Sequence, residues 1–133
     1  MNPVLLCGAL LGLLAVIAGA TAEHLLVPGL DSEAARRLEV ALQFHRFGAL
    51  AATAIGLALL AVGCPATRRH LAWSGGLLAA GTALFSFTIY LGLGTGSAFI
   101  GRLTPIGGLL KIAGWGWLAV AAWRGSPRPW ETR

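Results

Sequence analysis

Four stretches of the chain run apolar for about as long as a helix needs to cross a bilayer, roughly 20 residues, and polar residues gather between them. Residues 3–22 carry no charge. Residues 44–63 are apolar after His45 and Arg46 at their entrance. Residues 71–93 are again uncharged, and residues 105–123 contain one charge, Lys111. None alternates with the period of two that marks a barrel strand. Helices are the other way to satisfy a backbone in lipid. The pattern predicts an all-α integral membrane four-helix bundle in one domain. Its helices span about 3–25, 32–63, 71–93 and 105–123, followed by a polar tail at 124–133 rich in proline. Four crossings put both termini on the same side.

The second helix is expected to start well before its apolar run. Asp31 or Ser32 can cap it, and Asp31 and Glu33 sit at its positive end. Ser32, Arg36, Glu39, Gln43 and Arg46 share one face at helical spacing. Cys64-Pro65 is read as the terminator of that helix, and the Gly-, Ser- and Thr-rich residues 92–101 as the link between helices three and four. Ala20-Thr21-Ala22 fits a small-x-small cleavage site. However, Met1-Asn2-Pro3 lacks a basic residue, and the apolar run is longer than a signal peptide's core. A retained helix is therefore expected, with Gly8 and Gly12 available for close packing.

Composition then excludes whole classes. Of 133 residues, 56% are hydrophobic and 11% charged, too little charge to solvate a small soluble enzyme. The net charge of +5 invites a nucleic-acid reading. No basic run exceeds two residues, so there is no phosphate-tracking stripe and no nucleic-acid partner is expected. Most arginines read as topology signals. Arg68, Arg69, Arg124, Arg128 and Arg133 lie on the side of the termini, and Arg36, Arg37, Arg46 and Arg102 on the other. This favours cytoplasmic termini in a bacterial inner (plasma) membrane, with Trp73, Trp123 and Trp130 near that interface. Cys7 and Cys64 form no CxxC pair and are read as small packing residues rather than a disulfide.

The polar residues inside the spans converge on the half of the membrane away from the termini. Helix one ends at Glu23-His24, and helix two enters with His45-Arg46. Helix three ends with Ser86, Thr88 and Tyr90, while helix four opens at Thr104-Pro105 and carries Lys111. An intramembrane lysine costs roughly 2.5–3.5 kcal/mol on insertion scales. An ion pair with Glu23 would offset that if helices one and four are neighbours. Glu23, His24, His45, Arg46, Tyr90 and Lys111 are thus the candidate functional cluster. It suits a proton relay, an ion site, or a site for an anionic lipid or quinone headgroup. Their spacing matches no metal motif. No nucleophile elbow, P-loop, HExxH or haem-attachment sequence is present, so no catalytic residues, metal or cofactor are expected.

Several of these positions also carry a resemblance. Gly19-Ala20-Thr21-Ala22-Glu23-His24 ends helix one, and Phe85-Ser86-Phe87-Thr88-Ile89-Tyr90 ends helix three. Thr104-Pro105-Ile106-Gly107-Gly108 opens helix four, followed by Gly114-Trp115. In this order they resemble the small membrane-protein family known as domain of unknown function 423, related to eukaryotic transmembrane protein 256. Thr104 to Gly108 is the most specific piece. Before helix two, Phe44-His45-Arg46-Phe47-Gly48-Ala49-Leu50-Ala51 is similar to the family's Y-Q-x-Y-H-A-L-A. His45 then stands at the glutamine and Gly48 at the histidine. Glu23 replaces a small residue and Lys111 an apolar one, so the chain looks like a diverged, more highly charged member. The resemblance implies a four-helix membrane protein without an established activity.

Three functions are therefore expected in descending order. The first is a non-enzymatic accessory subunit that packs against other membrane-protein subunits of a larger respiratory or redox complex, or against itself. The second is a small oligomeric transporter, channel or proton-relay protein using the Glu/His/Lys cluster. The third is a lipid- or quinone-binding protein.

Overall fold

The computed structural model describes residues 1–26 and 29–125. Pro127, Arg128, Pro129, Trp130 and Arg133 of the tail lie outside them. Every regular element among the described residues is helical. Helix α1 (Pro3–Thr21) runs on into a π-helical turn (Ala22–Leu26), followed by α2 (Ser32–Ala61), α3 (Pro65–Thr95), a short α4 (Ala98–Gly101) and α5 (Thr104–Gly125). Four helical stretches among the described residues are long and apolar enough to cross a membrane: Pro3–His24, Ser32–Ala61, Pro65–Thr95 and Phe99–Arg124.

Local chemistry sets the helix ends. Asn2 caps α1 by accepting from the Leu5 amide at 3.1 Å, and its own amide donates to the Gly56 carbonyl at 2.7 Å, tying the start of α1 to α2. Asp31 caps α2 by accepting from the Ala34 amide at 2.8 Å. Glu33 in that first turn meets Arg36 and Arg37, exposed pairs that contribute little to stability. Helix α3 begins at Pro65, six residues before the apolar run. Pro65 does not simply stop α2: it occupies the first helical turn of α3, where its missing donor costs nothing. The polar residues Thr67 to His70 hide that start from a hydropathy reading. One of them, Arg68, donates to the Leu59 carbonyl at 2.6 Å and so satisfies the frayed end of α2. At the other end α3 stops where Gly96 takes a left-handed φ of 66°.

Helix α3 is the centre of the packing. Helix α5 lies along α3, α2 lies along α3, and α1 lies along α2, while α1 and α5 do not form a packed pair. Apolar clusters fill the crossings: Val4, Ile55, Leu59 and Leu78 in one, Leu11, Ala49, Ala52 and Ala79 in a second, Ala22, Leu38 and Leu42 in a third. Close approach needs glycine where backbones meet. A Cβ on Gly107 would strike the backbone of Phe85, and one on Gly56 would lie 2.5 Å from the Leu5 Cα. Large apolar side chains face outward, among them Leu13, Ile17, Leu60, Leu109 and Ile112. This arrangement suits lipid and would be insoluble in water.

Candidate functional site

Successive residues on a helix point about 100° apart, and on α2 this sends Phe44, His45 and Arg46 to three different neighbours. His45 is fully buried against α3. Its Nδ1 lies 3.2 Å from the Tyr90 hydroxyl. The Phe87 ring meets it edge-on with centroids 5.4 Å apart. The imidazole is also turned toward the Leu11 carbonyl of α1, but Nε2 reaches no partner of hydrogen-bond geometry.

Phe44 looks the other way, toward α5. With Phe85 it forms an edge-on aromatic pair, centroids 5.3 Å apart. Lys111 is 6% exposed, and its Nζ stands 4.2 Å from the Phe44 centroid and 4.6 Å from that of Phe85. No hydrogen-bond partner reaches this Nζ. The ammonium is held by the faces of two rings, an electrostatic attraction strengthened by desolvation. Close packing of Lys111 against Gly81 of α3 brings its stem into the bundle.

Between these two groups runs a row on α3. Ser74, Leu78, Thr82 and Ser86 are all fully buried and spaced by four, so they share one helix face. Ser74 donates to the Gly114 carbonyl at 2.8 Å, and Ser86 donates to the Ala41 carbonyl at 3.2 Å. These bonds join α3 to α5 and to α2. Thr82 Oγ1 has no partner and lies where a side chain on Gly48 would fall. The three hydroxyls stand at multiples of four residues, a spacing visible in the sequence, of which the sequence reading names only Ser86.

Arg46 and Glu23 fall on the α1 side. The Arg46 guanidinium covers Gly19, with Nη2 2.8 Å from where a Cβ there would sit. Both side chains line a groove of about 600 Å³ between α1 and α2. Glu23 and His24 are exposed. The expected Glu23–Lys111 ion pair does not form. Helix α5 docks on α3 rather than on α1, and this carries Lys111 into the Phe44–Phe85 cage. The structure therefore joins His45 to Tyr90, sets Lys111 behind the adjacent Phe44, and puts Glu23 and Arg46 on the α1–α2 groove. Among the described residues no group of three or more His, Cys, Asp or Glu side chains comes together.

The resemblance motifs are largely fasteners. Thr104 Oγ1 and Thr88 Oγ1 are 2.9 Å apart and tie the start of α5 to α3. Pro105 stands in the first turn of α5, and Trp115 stacks on Phe47 with centroids 5.6 Å apart. Gly114 abuts Leu78, whereas Gly108 meets only the Phe85 ring edge at 4.0 Å. The cysteines correct an expectation. Both are unpaired and exposed rather than packed inside. Cys64 stands at the start of α3 without a capping hydrogen bond from its side chain. The Thr67 amide is still near enough, followed by the Thr67 hydroxyl and the Ala66 amide, to hold its thiol below the ordinary range.

Cys7 belongs to a feature that hydropathy does not show. A groove of about 670 Å³ opens sideways between α1 and α3. Leu10 and Leu14 line its α1 wall. Gly76, Ala79, Ala80 and Ala83 line it from α3, with Trp73 and Arg69 toward one end. A Cβ on Gly76 would meet nothing within 4 Å.

Comparison with known proteins places these features in a family. The profile of the family described as "Protein of unknown function (DUF423)" matches residues 18–108. A UPF0382 membrane protein of Staphylococcus haemolyticus is 32% identical over 124 residues, covering 93% of this chain and 98% of the relative. One from Staphylococcus saprophyticus is 32% identical over 126 residues, covering 93% and 99%. The UPF0382 membrane protein YwdK of Bacillus subtilis is 30% identical over 125 residues, covering 92% and 97%. No solved structure gives a significant match.

Proposed function

This chain belongs to the DUF423 family of membrane proteins, and from that premise we propose that it is a non-enzymatic accessory subunit, packed against a helix of another membrane protein in a larger assembly such as a respiratory or redox complex. The groove between α1 and α3 supports this reading most directly. It is open to the side and floored by Gly76, Ala79, Ala80 and Ala83, which makes two overlapping small-xxx-small steps. Helices in lipid associate by close van der Waals packing, and small residues let backbones approach. A lipid tail fills such a floor less closely than a rigid helix does. Arg68 and Arg69, in the first turns of α3, support an orientation in which the groove's Arg69 end and both termini face the cytoplasm of a bacterial cell.

The test is purification from native membranes in mild detergent, with mass spectrometry of the assembly. A defined partner retained by the wild type and lost in Gly76→Leu/Ala80→Leu is expected. A lone monomer under all mild conditions contradicts the proposal, and a dimer of this chain would make the partner a second copy.

One observation favours a second reading, a proton-relay or ion-conducting role. His45 Nε2, Thr82 Oγ1 and Lys111 Nζ are all buried without a hydrogen-bond partner, and unsatisfied polar groups inside a membrane are otherwise costly. Proton flux in reconstituted vesicles that falls in both His45→Gln and Lys111→Met would support it. Flux equal to empty vesicles would remove it.

A further inference from the structure

A second cavity, of about 720 Å³, lies at the opposite end of the bundle from the α2–α3 turn. Three segments build it: the second turn of α2, the last turns of α3, and the connection into α5. Arg37 enters from α2 and Arg102 from the α4–α5 connection, while Ile89 and Leu93 of α3 supply aliphatic wall. Thr88 and Thr104, joined at 2.9 Å, line its floor. We propose that this cleft binds the phosphodiester headgroup of an anionic membrane lipid between Arg37 and Arg102, with the start of the acyl region against Ile89 and Leu93.

Charge is the first argument. No carboxylate lines the cavity. Arg37 spends only its Nε on Glu33, at 3.0 Å, and the same carboxylate is shared with Arg36. The Arg102 side chain makes no ion pair with any described residue. Two guanidiniums thus converge on one space with donor capacity unspent. Guanidinium is the side chain that matches phosphate oxygens with paired hydrogen bonds.

The aliphatic wall is the second argument, and it selects the source of the phosphate. A free phosphate ion would satisfy the arginines but leave Ile89 and Leu93 uncovered. A lipid covers both. The location agrees, because the cleft lies where α3 ends and α5 begins, at the level of a membrane boundary. Phe99 of α4, 70% exposed beside it, suits the same interface. The cleft shares no lining residue with the α1–α3 groove, which lies toward the other end of α3.

The experiment uses the full chain in nanodiscs of equimolar phosphatidylglycerol and phosphatidylcholine, released into native mass spectrometry to read retained lipid. A basic residue near an anionic headgroup favours it by about fivefold. The wild type should retain phosphatidylglycerol over phosphatidylcholine by about 25-fold, on two such contributions. Arg37→Gln/Arg102→Gln should fall to within about twofold of no preference. Arg37→Lys/Arg102→Lys should keep most of it, which guards against a merely misfolded variant. Arg124→Gln, at the other end of α5, should match the wild type. Equal retention of the two lipids by the wild type overturns the proposal. So does an unchanged preference in the double glutamine variant. Displacement of the lipid by millimolar glycerol 3-phosphate would overturn the lipid assignment in favour of a soluble phosphate.

Discussion

Replacing Lys111 with methionine should stabilise the bundle. Methionine keeps nearly the length and volume of the lysine stem, so packing against Gly81 survives. What disappears is a buried ammonium with no hydrogen-bond partner. Its insertion cost is about 3 kcal/mol. Two desolvated cation–π contacts, at 4.2 and 4.6 Å, return about 1 kcal/mol each. The balance is a stabilisation of about 1 kcal/mol in the variant. Unfolding in mixed micelles titrated with dodecyl sulfate, followed by tryptophan fluorescence, measures it. The partner question can be read from the same data. If Lys111 were paired with Glu23, or with an anion inside the bundle, Lys111→Met would leave that charge stranded and cost about 3–5 kcal/mol. A loss of more than about 1 kcal/mol would therefore refute the reasoning. Glu23→Gln combined with Lys111→Met should be additive within about 0.5 kcal/mol, because the two residues share no contact.

Neighbouring glycines of one motif should behave oppositely. Gly107→Ala drives a Cβ into the Phe85 backbone and should cost about 1–3 kcal/mol in the same assay, whereas Gly108→Ala, with only a ring edge at 4.0 Å, should be close to neutral. Tyr90→Phe strips His45 Nδ1 of its partner and should cost about 1–3 kcal/mol; a neutral result would mean that the imidazole bonds elsewhere. Cys64 should stay reactive toward maleimide as pH falls from 8 to 7, better than a free peptide thiol. A lowered thiol pKa leaves more thiolate at the lower pH. With cytoplasmic termini, an impermeant maleimide should reach Cys64 only after the cells are permeabilised, and labelling of intact cells would reverse the orientation.

The spans were legible because length and hydropathy alone define them. The cap of α2 was legible at Asp31, where an acidic side chain precedes an acidic first turn. Of the polar residues named from the sequence, His45 meets Tyr90 and Lys111 stands against Phe44, while Glu23 and Arg46 line a different groove. Helix neighbours were not legible. A helix apolar on all sides carries no stripe to say which face is inside, so nothing indicated that α5 would choose α3 over α1. The Glu23–Lys111 pair failed for that reason alone. The start of α3 was not legible because Pro65 both breaks one helix and opens the next, and the polar residues after it mask the second role. The cap at Asn2 was not legible, because its reach to the Gly56 carbonyl depends on α2 lying alongside. The α1–α3 groove was invisible because it depends on two helices standing apart.

The accessory-subunit role requires that groove to accept a partner's helix. A photo-crosslinking residue placed at Ala80, on the groove floor, and separately at Ile112, 71% exposed on α5, tests it in living cells. One discrete protein adduct is expected from Ala80, abolished by Gly76→Leu, and none of that mass from Ile112. Lipid-only adducts from both positions would contradict it.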